Sequence, residues 1–153
     1  MPQWGSRIAI ACALTMALVG CTPTPAPPDA ITQAEIEAKQ RLKQENAALD
    51  TYVEAERATI PAILESAPGM YSEVTVEGVY PDTVLFRYVY ADVLDPAFAA
   101  DYFEGMVPTF QTMCDTTVFP GMESAGVPGP QKVTFSFFNV DGSELWSKTF
   151  EAS

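Results

Sequence analysis

Polar and apolar residues alternate in four short stretches of the second half of the chain. Alternation with a period of two, in stretches rich in Val, Phe, Tyr and Thr, predicts β-strands with one buried face. Turn residues separate the first pair at Tyr80 to Thr83 and the second pair at Asn139 to Gly142, which predicts two β-hairpins. The four strands are expected at residues 71–79, 84–90, 132–139 and 144–150.

A helical pattern precedes the first hairpin. Residues 29–58 are rich in Ala, Glu, Gln, Lys and Arg, which favour helix. Pro61 interrupts this helix because proline lacks an N–H donor and clashes with the preceding turn. We expect a kink or a restart there, with Thr59 as a new N-cap and Pro61 in the first turn. The polar residues 34–46 are either a solvated helix or a coiled-coil stalk, and the missing heptad repeat favours the solvated helix.

A second helix is predicted between the hairpins. Asp95 followed by Pro96 is typical of a helix start, and Gly126 is a suitable stop. Apolar side chains recur every three or four residues along this helix, and we expect them to pack on the sheet. They are Phe98, Tyr102, Met106, Phe110 and Met113 or Cys114.

These elements predict an α+β fold. A long N-terminal helix is followed by a hairpin, a helix and a second hairpin, and the simplest arrangement is a four-stranded antiparallel sheet with the helices mainly on one face. We expect residues 30–69 to form a helical segment and residues 70–153 an α+β domain, packed together as one globular unit.

The N-terminal residues have the features of an export signal. Arg7 precedes the uncharged run Ile8 to Val19, which is too short to cross about 30 Å of hydrocarbon comfortably. The next residues, Gly20 and Cys21, complete a Leu-Val-Gly-Cys sequence that resembles the bacterial lipobox, in which the thiol is alkylated by diacylglycerol and the cysteine becomes the mature N-terminus. A cysteine buried in a transmembrane helix is the alternative, but the four prolines in residues 22–28 end the apolar run at once.

This resemblance implies a signal peptide at residues 1–20, and an acylated Cys21 with a proline-rich tether at residues 21–29. Two acyl chains anchor a protein stably, whereas one holds it only marginally. We therefore expect a lipoprotein that carries palmitate-type lipid at Cys21 and is held on the extracytoplasmic face of the bacterial cell membrane.

Composition excludes several chemistries. The chain contains no histidine, which excludes Ser-His and Cys-His catalysis and histidine-ligated metals. Cys12 leaves with the signal peptide and Cys21 carries lipid, so Cys114 has no partner for an internal disulfide. Cys114 is read as a small core residue in preference to a nucleophile, because free cysteine is among the most buried residue types.

The charge of the chain also limits its partners. The formal net charge is −12, and it becomes −13 when Arg7 is removed with the signal peptide. Such a surface repels phosphate backbones and anionic lipid headgroups, so we expect no nucleic acid partner and assign membrane binding to the lipid anchor alone. An unidentified protein or ligand of the cell envelope stays possible as a partner, and the oligomeric state stays open.

Carboxylates are concentrated at Asp92, Asp95, Asp101 and Glu104. Their spacing does not match a calcium-binding loop, and Asp95 already has a role as a helix cap. We assign no catalytic residue, no metal ligand and no cofactor. The turn from Asn139 to Ser143 is explained by backbone geometry and receives no function.

Four aromatic residues of the predicted strands form the candidate binding face: Tyr88, Tyr90, Trp146 and Phe150. If the helices cover only the opposite face of the sheet, these side chains form an exposed aromatic patch that can bind a partner. The alternative is that the first helix covers them or that they are the core itself.

Several local patterns occur together in the mature chain. The turn at residues 139–143 reads Asn-x-Asp-Gly-Ser and precedes an aromatic strand, a Val-rich strand follows Gly69-Met70-Tyr71, and Asp95-Pro96 begins the second helix. In this order the domain resembles a family of small Gram-positive, actinobacterial-type lipoproteins classed as a domain of unknown function. The resemblance implies fold and location, and it carries no catalytic residues.

The leading hypothesis is a non-enzymatic, membrane-anchored binding or interaction module. The alternatives are a small hydrolase that relies on carboxylates, and a structural spacer of the cell envelope that dimerises through the first helix. A deep cleft with two convergent acids would favour the hydrolase.

The lipid anchor is directly testable. Because Cys21 supplies the thiol that is acylated, the variant Cys21→Ala should incorporate no radiolabelled palmitate in intact cells. Undiminished labelling of the variant would contradict the anchor.

Overall fold

The computed structural model describes the backbone of residues 28–152 and the side chains of residues 33–152. The predicted signal peptide, Cys21 and most of the tether lie outside these residues. Within the described part, no helix is both long enough and apolar enough to cross a membrane. The described residues form nine elements: α1 (Pro28–Arg57), α2 (Ile60–Ser66), β1 (Tyr71–Val79), β2 (Thr83–Tyr90), α3 (Pro96–Met113), the π-helical turn (Cys114–Val118), α4 (Phe119–Ala125), β3 (Lys132–Phe138) and β4 (Glu144–Glu151).

The four strands form one mixed sheet in the order β1-β2-β3-β4. The two hairpins are antiparallel as predicted, but β2 and β3 run parallel, so the prediction of a purely antiparallel sheet is wrong. The segment from Pro96 to Ala125 explains the difference. Its helices carry the chain back along the sheet, so β3 starts beside the start of β2, where the Lys132 N–H donates to the Asp82 carbonyl at 3.0 Å.

The helical region before the sheet divides where the sequence predicts. α1 ends at Arg57 and α2 starts at Ile60, with Pro61 in its first turn. Thr59 occupies the N-cap position, but its hydroxyl donates to the Glu56 carbonyl at 2.8 Å and does not cap the new helix. α1 starts at Pro28, so the last two residues of the predicted tether are helical. The side chains of residues 33–44 are all exposed, whereas Leu49 is fully buried, so only the C-terminal half of α1 joins the core.

The two faces of the sheet differ in character. The apolar face contributes valine and aromatic side chains to a core that also includes side chains of α1, α3 and α4. On the open face, hydroxyl pairs link β3 and β4, with Oγ–Oγ distances of 2.8 Å between Ser136 and Ser147 and Oγ1–Oγ1 distances of 2.8 Å between Thr134 and Thr149. Arg87 pairs with Glu73 on this face at 3.1 Å. These polar groups of the open face are therefore satisfied by one another, and the same face also carries the apolar side chains of Leu85, Val89 and Phe138.

Gly142 shows why the second hairpin turns where it does. Its φ is +86°, a conformation that glycine adopts without steric cost, and the Gly142 N–H donates to the Asn139 carbonyl at 2.9 Å. The hairpin turn predicted at Asn139 to Gly142 is confirmed.

Candidate functional site

An open cleft lies at one end of the sheet, between α2, the start of β1 and α3. The end of β3 forms its floor, and its volume is about 580 Å³. This volume falls in the range of small-molecule sites, about 300–1,000 Å³. Aromatic residues dominate the lining: Tyr71, Tyr88, Tyr90, Phe98, Tyr102, Phe103, Phe110, Phe135 and Phe137.

The cleft exists because α3 is apolar around more than one side. Ala99 and Phe103 are buried against the sheet. Phe98 and Tyr102 are each one residue away, so they project about 100° around the helix from the buried stripe. The Phe98 side chain is 73% exposed and that of Tyr102 is 55% exposed.

The prediction that Phe98 and Tyr102 pack on the sheet is therefore wrong. The regular spacing of large side chains identified a real apolar stripe of α3, but the smaller Ala99 belongs to the stripe that is buried. A signal for the site was present in the sequence, because a helix with apolar residues on more than one stripe has more apolar surface than one sheet face can cover.

Three tyrosines from two neighbouring strands form one wall. The Tyr71 ring lies 5.3 Å from the Tyr88 ring and 5.1 Å from the Tyr90 ring, with interplanar angles of 50° and 45°. Burial raises the pKa of Tyr88 to about 12, and burial also raises the pKa of Tyr71 and Tyr90. Tyrosine is protonated at neutral pH even without such a shift, so these hydroxyls can donate hydrogen bonds to a ligand.

The other residues that line the cleft are uncharged, and three of them are methionines. Met70, Met106 and Met113 contribute flexible thioether side chains, which adapt to ligands of different shape. Among the described residues that line the cleft, none carries a charge. A ligand buried here would exchange water for aromatic rings, thioethers and a few hydroxyls.

All four residues of the candidate binding face lie on the same face of the sheet, but it is the face that the helices cover. Trp146 and Phe150 are buried in the core, so an exposed patch of four aromatic side chains does not form. Tyr88 and Tyr90 are half-buried and line the cleft. The structure thus separates the set into two core residues and two residues of the cleft wall.

Among the four clustered carboxylates Asp92, Asp95, Asp101 and Glu104, Glu104 makes the most side-chain contacts. It accepts from Trp146 Nε1 at 2.8 Å and lies 3.5 Å from Lys148 Nζ, and the Trp146 hydrogen bond is the main reason why its pKa is lowered. Asp95 caps α3 by accepting from the Phe98 N–H at 2.9 Å, as predicted. Asp92 and Asp101 are exposed, and none of the four lines the cleft. Within the described residues no group of three or more acidic or cysteine side chains could hold a metal ion.

Cys114 is the cysteine that lies in the described part of the chain. Cys114 is fully buried at the start of the π-helical turn, and burial raises its pKa to about 11. This burial confirms the prediction that Cys114 is a core residue. A protonated and inaccessible sulfur is a poor nucleophile. Cys21 lies outside the described residues, so its acylation stays a prediction.

Asn139 is the residue whose role was missed from the sequence. Its side chain is 1% exposed. Its Oδ1 accepts from the Leu94 N–H at 2.8 Å, while its Nδ2 donates to the Leu94 carbonyl at 3.1 Å and to Ser143 Oγ at 3.0 Å. Leu94 lines the cleft, so one buried amide ties the hairpin turn to the segment that leads into α3. The Asn-x-Asp-Gly sequence predicts the turn, but it does not predict the hydrogen bonds to Leu94, which lies 45 positions away in the chain.

Comparisons with known proteins give no relative for this chain: no family model, curated protein or solved structure matches it. The resemblance to small Gram-positive lipoproteins stays a prediction.

The buried hydrogen bonds of Asn139 predict that the variant Asn139→Asp is destabilised in a pH-dependent way. At pH 7 the ionised carboxylate cannot donate to the Leu94 carbonyl and is buried, so we expect a loss of about 2 kcal/mol or more in the free energy of unfolding. Burial should raise the folded-state pKa of this new acid above its unfolded value, so the folded state binds more protons and the defect should shrink as pH falls from 7 to 5.

Urea denaturation at both pH values measures this, with the half-buried Asn46→Asp on α1 as the matched control. If both variants lost the same free energy of unfolding at pH 7 and at pH 5, the role given to Asn139 would be contradicted.

Proposed function

We propose that this chain is a lipid-anchored extracytoplasmic binding module whose ligand site is the cleft between α2 and α3. The observation that supports the proposal most directly is an open, uncharged cleft with large apolar side chains exposed at its mouth. Such surface is costly in a protein that already has a filled core, and contiguous exposed apolar patches commonly mark interaction sites.

The energetics favour an apolar ligand. Phe98, Tyr102 and Met70 are the lining residues with the most exposed large side chains. Complete burial of a side chain of this size is worth about 1.5–3 kcal/mol. A ligand that covers part of these three side chains would therefore gain several kcal/mol before the cost of its own ordering.

The floor of the cleft consists of buried aromatic side chains, whereas the methionines that line the cleft are flexible. Phe135 and Phe137 are buried on the central strand β3 and fix the floor. The methionines at the rim can change rotamer at little cost, so they can adapt to the ligand. Tyrosine hydroxyls supply the polar contacts, because tyrosine is protonated at neutral pH and can donate a hydrogen bond.

The anchor and the first helix complete the proposed architecture. Acylation of Cys21 would hold the chain on the membrane, and the prolines of the tether would form an extended spacer. The exposed N-terminal half of α1 would continue that spacer and hold the cleft away from the bilayer. A spacer role for α1 is thus part of the binding proposal.

Nothing in the cleft favours the alternative of a carboxylate-dependent hydrolase. The described lining of the cleft contains no acidic residue, Asp95 is engaged in capping, and Glu104 is held by Trp146 and Lys148.

The proposal predicts that the purified mature chain binds the neutral apolar dye Nile red, with a blue shift and an increase in dye fluorescence. The variant Tyr102→Ala should weaken the affinity about fivefold or more, because it removes part of an exposed aromatic wall that contributes roughly 1 kcal/mol or more. Tyr102 is exposed, so the midpoint of urea denaturation should stay unchanged.

The matched control is Tyr80→Ala, which removes a tyrosine of similar exposure, 50%, outside the cleft. Equal weakening by both substitutions, or no dye binding by the unaltered chain, would refute the cleft as the binding site.

A further inference from the structure

The cleft is elongated along α3. Its lining residues on this helix recur at intervals of four or fewer positions from Phe98 to Met113. At the rise of an α-helix, these positions span about 22 Å. An extended ligand can therefore contact several successive turns of α3.

The direction of α3 distinguishes the two ends of the cleft. The Phe103 ring stacks on Phe137 at 4.2 Å, and the Phe110 ring stacks on Phe135 at 5.1 Å, so α3 runs opposite to β3. Strand β2 runs parallel to β3, and its last residue, Tyr90, lies beyond the level of Phe137. Tyr90 is therefore near the N-terminal half of α3, and Phe110 is at the other end.

Tyrosine hydroxyls are gathered at the first of these ends. Tyr71 and Tyr90 are cross-strand partners of β1 and β2, and their rings lie 5.1 Å apart. Burial is the main cause of the raised pKa of both residues, and the neighbouring Tyr102 of α3 raises both further. Three hydroxyls, two from the sheet and one from α3, are thus close to one another across the cleft.

The other end offers almost no polar contact. The lining residues of α3 beyond Tyr102 carry no hydroxyl group: Phe103, Met106, Phe110 and Met113. Ser66 of α2 also lines the cleft, but its hydroxyl already donates to the Ile63 carbonyl at 2.8 Å. The polar groups of the cleft are therefore concentrated at one end, and the apolar surface continues along α3.

The lining contains no group that could neutralise a charged ligand. None of the described residues that line the cleft is acidic or basic. Glu56 of α1 contributes to the raised pKa of Tyr88, after burial and the nearby Tyr71, but Glu56 is not among the lining residues. A charged head group would lose its hydration without gaining an opposite charge in the lining. An uncharged head group avoids this cost and can exchange hydrogen bonds with tyrosine hydroxyls.

We propose that the ligand of the cleft is an uncharged single-chain amphiphile. Its hydroxyl-bearing head group lies at Tyr71, Tyr90 and Tyr102, and its alkyl chain lies along α3 over Met106 and Phe110. This inference rests on the proposed binding function and adds the chemical class and the orientation of the ligand to it.

A series of alkyl glucosides tests the chain. Hexyl, octyl and decyl glucoside are titrated into the mature chain below their micellar concentrations, with isothermal titration calorimetry as the readout. Each additional pair of methylene groups should tighten binding about tenfold, because each buries further apolar surface along α3. Octanoate and octyltrimethylammonium have an alkyl tail of similar length, and they should bind about tenfold more weakly than octyl glucoside, because their charged heads lose hydration.

Two sets of variants test the orientation. Replacing the three head-group tyrosines together, by Tyr71→Phe, Tyr90→Phe and Tyr102→Phe, removes the hydroxyls and keeps the rings. All three glucosides should then bind about tenfold more weakly, while the gain per methylene pair stays the same. The matched control is Tyr80→Phe, which removes a hydroxyl outside the cleft and should leave binding unchanged.

The variant Met106→Gln replaces an apolar side chain of the chain-binding end by a polar one of similar length. It should reduce the gain in affinity from hexyl to decyl glucoside. The control Met70→Gln changes a lining methionine next to Tyr71, at the head-group end, and should leave this gain in place.

The outcomes separate this inference from the binding function itself. Equal affinities along the glucoside series, or unchanged binding by the triple Phe variant, would overturn the amphiphile and its orientation, while Nile red binding would leave the proposed function standing. Tightest binding of octanoate or of octyltrimethylammonium would overturn the uncharged head group. Failure of Nile red and of all the amphiphiles to bind would overturn both proposals.

Sedimentation velocity on the same samples addresses a second copy of the chain as the occupant. A dimer that is abolished by Tyr102→Ala, and that octyl glucoside does not dissociate, would assign the cleft to self-association and overturn the proposal.

Discussion

The fold and the cleft both depend on the contact between α3 and the central strand β3. The Phe103 ring stacks on the Phe137 ring with a centroid distance of 4.2 Å, and Tyr88 stacks on Phe137 from the neighbouring strand at 4.9 Å. Aromatic pairs of this kind contribute about 0.5–1.5 kcal/mol beyond the area they bury. The contact fixes how α3 is rotated over the sheet, and this rotation decides which of its apolar side chains are buried.

Phe137 belongs to the core and to the floor of the cleft at the same time. One side of the stack continues into Trp146, whose ring lies 5.4 Å from Phe103 and whose Nε1 donates to Glu104. The other side opens toward Tyr88 and the exposed part of α3. Packing that stabilises the sheet therefore also holds the floor of the site in place, and the site itself needs no separate scaffold.

The sequence was sufficient for the strands and for several helix ends, but it did not predict that the second helical region divides into α3, the π-helical turn and α4. Alternation located the strands, Pro61 located the break before α2, and Asp95 located the start of α3. The direction of β3 was missed because two hairpin signals describe only local pairing, whereas strand direction depends on how the helical crossover between β2 and β3 returns the chain.

The candidate site was less accessible from the sequence for a physical reason. An aromatic residue contributes the same pattern whether it is buried in a core or lines a cleft, so Tyr88 and Trp146 could not be told apart before the packing was known. The role of Asn139 was hidden for a related reason, because its partner Leu94 is brought close only by the fold. Phe98 was predicted to be a core residue, but the buried side chain is that of the next residue, Ala99. This difference of one position on α3 separates the core from the cleft.

The four methionines that follow residue 21 allow the central claim to be measured directly. Met70, Met106 and Met113 line the cleft, whereas Met122 is fully buried in the core and is not among the lining residues. In a chain labelled with ¹³C at the methionine methyl groups, titration with octyl glucoside should shift the resonances of the three cleft methionines in a saturable way and leave that of Met122 in place. Saturable shifts at Met122 alone, or no shift at any of the three cleft methionines, would contradict ligand binding in this cleft.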